Sequence, residues 1–160
     1  MRIKPLVKRA AALKMPAIAV TDQGNLFALV KFYKAALGAG LKPIAGADLW
    51  LVNESDIAAP YRLTLLVRDA AGYGNLTELL SLGYMEGQHQ GVPMIRAEWL
   101  EKHNRGLIVL SGGREGRWAK RCSPAASRRP RRCCAITGRC FPTPFIWSCS
   151  APADRRKKRT

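Results

Sequence analysis

Residues 1–116 predict an α/β fold, on three observations. Short runs rich in Val, Ile and Leu alternate with amphipathic stretches of helical spacing. The short runs carry few charges, as strands covered on both faces do. Gly, Pro and Asn cluster between the segments, where turns use them. Strands alternating with helices in this way predict a parallel sheet or an incomplete barrel.

The elements follow in order. Pro5 suits a first helical position, and Leu6, Val7, Ala10, Ala11 and Leu13 recur on one side of a helix. Met15-Pro16 ends it, because the residue before a proline is pushed out of helical angles. Residues 17–21 form a strand and 22–25 a loop. A second helix carries Leu26, Leu29, Val30, Tyr33, Ala36 and Leu37, and Gly38 and Gly40 stop it. Residues 42–52 and 62–67 predict strands joined by a polar connection. Asp69 is placed to cap a helix bearing Leu76, Leu79, Leu80 and Leu82. After a polar loop at 87–91 and Pro93, residues 96–103 predict a short helix with Trp99 and Leu100 turned inward. Residues 106–110 make a last strand, closed by Ser111-Gly112-Gly113.

Charge divides the chain at the same point where this alternation stops. Residues 1–116 hold 14 Lys and Arg against 10 Asp and Glu, a balance of +4. Residues 117–160 carry +12, with Asp154 as the lone acid, all five cysteines and half of the ten prolines. That segment has no apolar period, and its arginine runs are too costly to bury, so it predicts a disordered basic tail. Its cysteines (Cys122, Cys133, Cys134, Cys140, Cys149) are odd in number and irregular in spacing, which supports neither a disulfide framework nor a zinc knuckle. No stretch reaches the roughly 20 apolar residues that span a bilayer. With no secretory signal pattern, the expectation is a cytoplasmic chain with no membrane partner.

Few residues of the first segment carry chemistry. Asp22 follows an apolar strand, where a carboxylate can hold a metal or a phosphate-bound cation; the alternative is a loop residue that accepts backbone hydrogen bonds. Asp48 falls inside a predicted strand, where acidic residues are rare. Either it marks a site or the strand is shorter than drawn. His89 lies in the polar loop and His103 at a helix end, and neither pairs with an acid, so a zinc site or a histidine-based catalytic centre lacks support. Ser111-Gly112-Gly113 lacks the lysine of a nucleotide loop and predicts a tight strand-end turn.

Six stretches taken together resemble a known family. They begin with Pro5-Leu6-Val7-Lys8-Arg9-Ala10-Ala11-Ala12-Leu13, Ala17-Ile18-Ala19-Val20-Thr21-Asp22-Gln23-Gly24-Asn25-Leu26 and Val30-Lys31-Phe32-Tyr33. The others are Gly40-Leu41-Lys42-Pro43-Ile44-Ala45-Gly46-Ala47-Asp48, Gly72-Tyr73-Gly74-Asn75-Leu76 and Gly106-Leu107-Ile108-Val109-Leu110-Ser111-Gly112-Gly113. In this order they resemble the polymerase-and-histidinol-phosphatase (PHP) domain that opens the alpha subunit of bacterial DNA polymerase III. The resemblance implies a distorted seven-stranded β/α barrel, here incomplete, from a replicative polymerase of a proteobacterium. Intact PHP domains hold divalent metals, and the full polymerase uses Mg²⁺ in domains that this chain does not contain. Metal-binding members have a histidine-any-histidine strand before the first helix, a histidine where Gln23 stands and a glutamate where Asp48 stands. Asp22 and Asp48 are then vestigial metal candidates, with no cofactor and no catalytic residue expected in this chain.

The resemblance also implies partners: the proofreading exonuclease subunit, the sliding clamp and DNA for the full parent. It accounts for the tail as well. Family codons for Tyr-Leu-Glu-Leu-Gln-Arg-Thr-Gly-Arg-Pro-Glu-Glu, read one base out of phase, give nearly what stands at 146–158, which implies a shifted frame from about codon 116 to 122. Three functions are thus expected in order: an inactive fragment of the polymerase alpha subunit, a free-standing PHP-type metal-dependent phosphoesterase, and a basic nucleic-acid-binding protein acting through its tail. An open barrel leaves unpaired edges, so marginal solubility is expected too.

Overall fold

The computed structural model describes residues 2–112 and the two-residue strand Phe145–Ile146. Apart from that strand, the segment that carries the frame-shift and tail assignments, with all five cysteines, lies outside the described residues.

Helix α1 (Ile3–Ala12) buries Val7 and Ala10. Its end is a Schellman turn: Lys14, in the left-handed region at φ 54°, donates to the Ala11 carbonyl, and Met15 donates to that of Ala10. Strand β1 (Ala17–Gln23) follows. It runs two residues further than the sequence indicates, because the parallel ladder with β2 (Lys42–Leu51) continues through Asp22↔Ala47 and Gln23↔Asp48. Asp22 is therefore a strand residue. Helix α2 (Leu29–Gly38) closes with the same turn, Gly40 taking φ 72° while Leu41 donates to Ala36.

The face that α2 buries differs from the predicted stripe. Phe32 and Ala36 are fully buried with Val7, Ala10 and Leu41, whereas Val30, Tyr33 and Leu37 are exposed. This helix has two overlapping apolar stripes, and packing against α1 and β1 selects the one that contains Phe32.

β2 continues without a helix into β3 (Tyr61–Val67), so the two pair antiparallel, as β3 does with β6 (Leu107–Ser111). The sheet is mixed, which corrects the expectation of a parallel one: the 52–60 connection is too short to cross over. One edge of β2 is shared, by β1 along 42–48 and by β5 (Val92–Ile95) at Trp50 and Leu51. β5 forms a hairpin with β4 (Gln88–His89), in a stretch the sequence suggests is loop. Its two turn residues, Gln90 and Gly91, both take positive φ, the backbone that a tight antiparallel hairpin requires. The last strand, β7 (Phe145–Ile146), pairs parallel with β6.

Helix α3 (Ala70–Met85) is capped as expected: the Asp69 carboxylate accepts the Gly72 N–H at 2.9 Å. Leu76 and Leu79 pack on Leu49, Leu63, Leu65, Leu107 and Val109. Short helix α4 (Ala97–Lys102) buries Leu100 and sets Trp99 under the Arg96 guanidinium, 5.3 Å from the ring centre. His103 ends this helix.

Both core clusters lie on one face of the sheet. Side chains alternate along a strand, and Ile18, Val20, Ala47, Leu49, Leu63, Leu65, Leu107 and Val109 share one face by register. The helices cover that face. The sheet does not close on itself among the described residues, as the incomplete barrel predicts.

Candidate functional site

The opposite, inner face is where polar side chains gather. Register places Thr21, Gln23, Gly46, Asp48, Trp50, Arg62 and Thr64 on it. Asp48 answers the question that its strand position raised: β2 is full length, and the carboxylate is held inside it. Thr64, directly opposite on β3, donates its hydroxyl to Asp48 Oδ1. Arg62, two residues along the same strand, donates Nη2 to Oδ2 in an ion pair. The Asp48 side chain is 10% exposed and the Arg62 side chain 45%. The Asp48 carbonyl in turn accepts the Gly24 N–H at 2.8 Å, which fixes the end of β1 against β2.

Asp22 points the other way. Adjacent positions on a strand face opposite sides, so the Asp22 carboxylate shares the helix face with Ala47, while Gln23 shares the inner face with Asp48. Asp22 Oδ2 accepts the Ala28 N–H at 2.7 Å, just ahead of α2. The two predicted metal candidates are thus on opposite faces.

His89 is brought toward this region by the β4–β5 hairpin. With Gln23, Trp50, Met94 and residues 57–60 it lines a shallow depression of about 630 Å³ at the β5 end of the sheet. His103, the C-cap of α4, is outside that lining. Gly112 donates its N–H to the Arg62 carbonyl at 3.1 Å, so this part of the Ser-Gly-Gly stretch extends the sheet edge toward β3.

Sequence reasoning missed Arg62 and Thr64. Their signal was present, since Arg62 and Thr64 alternate with Leu63 and Leu65, the period of a strand with one polar face. What the sequence does not give is the register that sets both opposite Asp48.

The PHP domain model matches residues 1–137. The chain belongs to the PHP family. Among curated relatives, the DNA polymerase III subunit alpha of Pseudomonas fluorescens is 56% identical over 115 residues, 72% of this chain and 10% of that protein. The Escherichia coli K12 subunit is 51% identical over 112 residues, 70% of the chain and 10% of its own length. The Vibrio cholerae subunit is 45% identical over 132 residues, 82% of the chain and 11% of that subunit. This PHP chain therefore spans about a tenth of the length of the curated relatives it matches. The family match runs past Gly116 into the basic segment.

The residues present do not fit the metal group that PHP domains hold. Divalent cations take several oxygen or nitrogen donors, most of them anionic or carbonyl. Here Asp48 has both oxygens bonded by Arg62 and Thr64, its neighbour Gln23 offers a neutral amide, and Asp22 faces the helices. Among the described residues, no group of three or more His, Cys, Asp or Glu side chains gathers as a metal site. No described helix is long and apolar enough to cross a membrane.

Proposed function

We propose that this chain is the PHP part of a bacterial replicative polymerase alpha subunit, and that its PHP fold acts as a structural module without phosphoesterase chemistry. The single observation that carries the second half is the state of Asp48. Its carboxylate is spent on Arg62 and Thr64, and the position beside it holds Gln23. Hydrolysis of a phosphoester by a metal cluster needs a cation to activate water and to neutralise the developing charge. Asp22 and Asp48 are remnants of such a set, and they are too few and too far apart in orientation to rebuild it.

The first half rests on identity above 50% to subunits named DNA polymerase III alpha. Template-directed DNA synthesis with Mg²⁺ belongs to the whole polymerase. So do the exonuclease subunit, the sliding clamp, DNA as partners, and a cytoplasmic setting. The module's part is to present its helix-covered barrel wall to those components.

The test is direct. Full-length chain is incubated with Mn²⁺ or Zn²⁺ and bis-p-nitrophenyl phosphate, beside an Asp48→Asn variant. The expected result is no release of nitrophenol above metal alone. Metal-dependent release by the wild type that Asp48→Asn abolishes would overturn the structural-module reading and restore the phosphoesterase.

A further inference from the structure

Charge is not spread evenly over the described fold. Residues 1–42 hold eight Lys and Arg against the single Asp22, a balance of +7, while residues 43–112 hold five against eight, a balance of −3. All eight of the first group are exposed, and among the described residues none of them is in an ion pair. Asp22, the one acid beside them, is turned to the Ala28 N–H. The same layer leaves Leu13, Met15, Phe27, Val30, Tyr33 and Leu37 exposed, Phe27 at 86% and Val30 at 64%. Phe27 stands just ahead of α2, and Val30, Lys34 and Leu37 follow it at spacings of three, four and three residues. That is the seam on which a second helix packs. The Lys42 N–H donates to the Pro16 carbonyl at 3.1 Å, so Leu13 and Met15 stand at the end of the layer where α2 stops.

We propose that the exposed face of α1 and α2 docks an acidic amphipathic helix of a partner protein, which lays apolar side chains along Phe27, Val30 and Leu37 and sets a carboxylate against Lys34. The proposal rests on the structural-module reading above and names the wall that the module presents. Charge complementarity selects the sign: a basic helix would add to a field that is already +7, whereas carboxylates relieve it. The apolar seam selects the class. A nucleic-acid strand would engage the lysines and stack on Phe27 or Tyr33, but would leave Val30, Leu37 and Leu13 in water. A bilayer would cover all of these, but would draw the Lys34 ammonium into its apolar region between Val30 and Leu37. A helix offers both kinds of group at the required spacing, apolar anchors three and four residues apart with acids beside them.

The test uses the full chain and a displayed library of helical peptides about 16 residues long, with Leu fixed at the three-four spacing and Glu, Gln or Lys at every other position. Selection is run at about 0.15 M ionic strength, which weakens purely electrostatic contact with the basic segment at 117–160. Selected peptides are expected to be rich in Glu, and fluorescence anisotropy then reads their affinity. Phe27→Ser is expected to weaken binding about tenfold or more. Lys34→Glu is expected to weaken it as much, and a peptide with Lys in place of the facing Glu is expected to recover it. Both side chains are exposed, and urea midpoints matching the wild type check that the variants stay folded. The proposal is overturned if Lys-rich peptides are selected, if none is selected, or if both variants bind the peptide as the wild type does. It is also overturned if oligo-deoxythymidine or phosphatidylglycerol vesicles bind more tightly than the peptide in a Phe27-dependent way. An empty selection together with no phosphoester hydrolysis sinks the docking face alone and leaves the structural module standing.

Discussion

Gly46 sets the spacing on which the Asp48 arrangement depends, and its replacement by alanine tests that spacing. The residue lies in β2 between Thr21 of β1 and Leu66 of β3. A Cβ there would stand 2.6 Å from the Leu65 carbonyl oxygen, 2.7 Å from Leu66 Cδ2 and 3.0 Å from Thr21 Cγ2. Ordinary contact begins near 3.4 Å, so by difference from 2.6 Å the β2–β3 pair must part by about 0.8 Å. The Leu66 tip can rotate away, but a backbone oxygen held in the sheet cannot. Overpacking of this kind costs about 1–3 kcal/mol. A middle value near 2 kcal/mol lowers Tm by roughly 10 °C in a domain of this size. The control is Gly74→Ala in α3, where a new Cβ meets nothing within 4 Å. Relief of unfolded-chain entropy there should stabilise by about 0.4–1 kcal/mol. Urea and thermal unfolding of the full chain, followed by circular dichroism, would separate the two variants in opposite directions. A Gly46→Ala midpoint equal to or above the wild type refutes the argument that the Leu65 carbonyl stands too close for a side chain at this position.

Two further outcomes bear on the scaffold. The Gly72 N–H holds the Asp69 carboxyl below its usual value of 3.8, with help from Arg68. A lowered folded-state pKa gives stability that is present above the unfolded value and lost as pH falls through the folded one. Asp69→Asn still caps α3, so neutral stability should change little while the fall of the unfolding midpoint below pH 3.8 becomes shallower; an unchanged acid slope refutes the cap's role. Leu65→Ala removes a fully buried side chain between the sheet and α3, and should cost about 2–5 kcal/mol. Phe27→Ser, at a residue 86% exposed, should stay within about 0.5 kcal/mol of the wild type. Equal effects of the two in one denaturation series would refute the assigned core.

Much of the fold was legible in the sequence because it is locally encoded. Gly40 and Asp69 mark helix ends by backbone chemistry that needs no distant partner, Pro5 sits in the first turn of α1 two residues past the start that its presence suggested, and the apolar runs of β1, β3 and β6 read as strands by composition. The β4–β5 hairpin was hidden, since Gln-Gly is a weak turn signal between two very short strands. The buried stripe of α2 was hidden too, because both of its stripes are apolar and only packing against α1 and the sheet chooses between them.

For the site, the sequence by itself determined which side chains are available: two carboxylates, a glutamine next to Asp22, and a PHP frame to hold them. The tertiary structure decided their pairing. A strand presents alternate faces, so one step along β1 sends Asp22 to the helices and Gln23 to the inner face. The antiparallel register of β3, fixed by the pairing of Leu63 and Leu65 with Leu49 and Ala47, then carries Thr64 and Arg62 to Asp48. Sequence separation says nothing about that encounter, because the apolar partners on the other face of the strand set the register that brings the charges together.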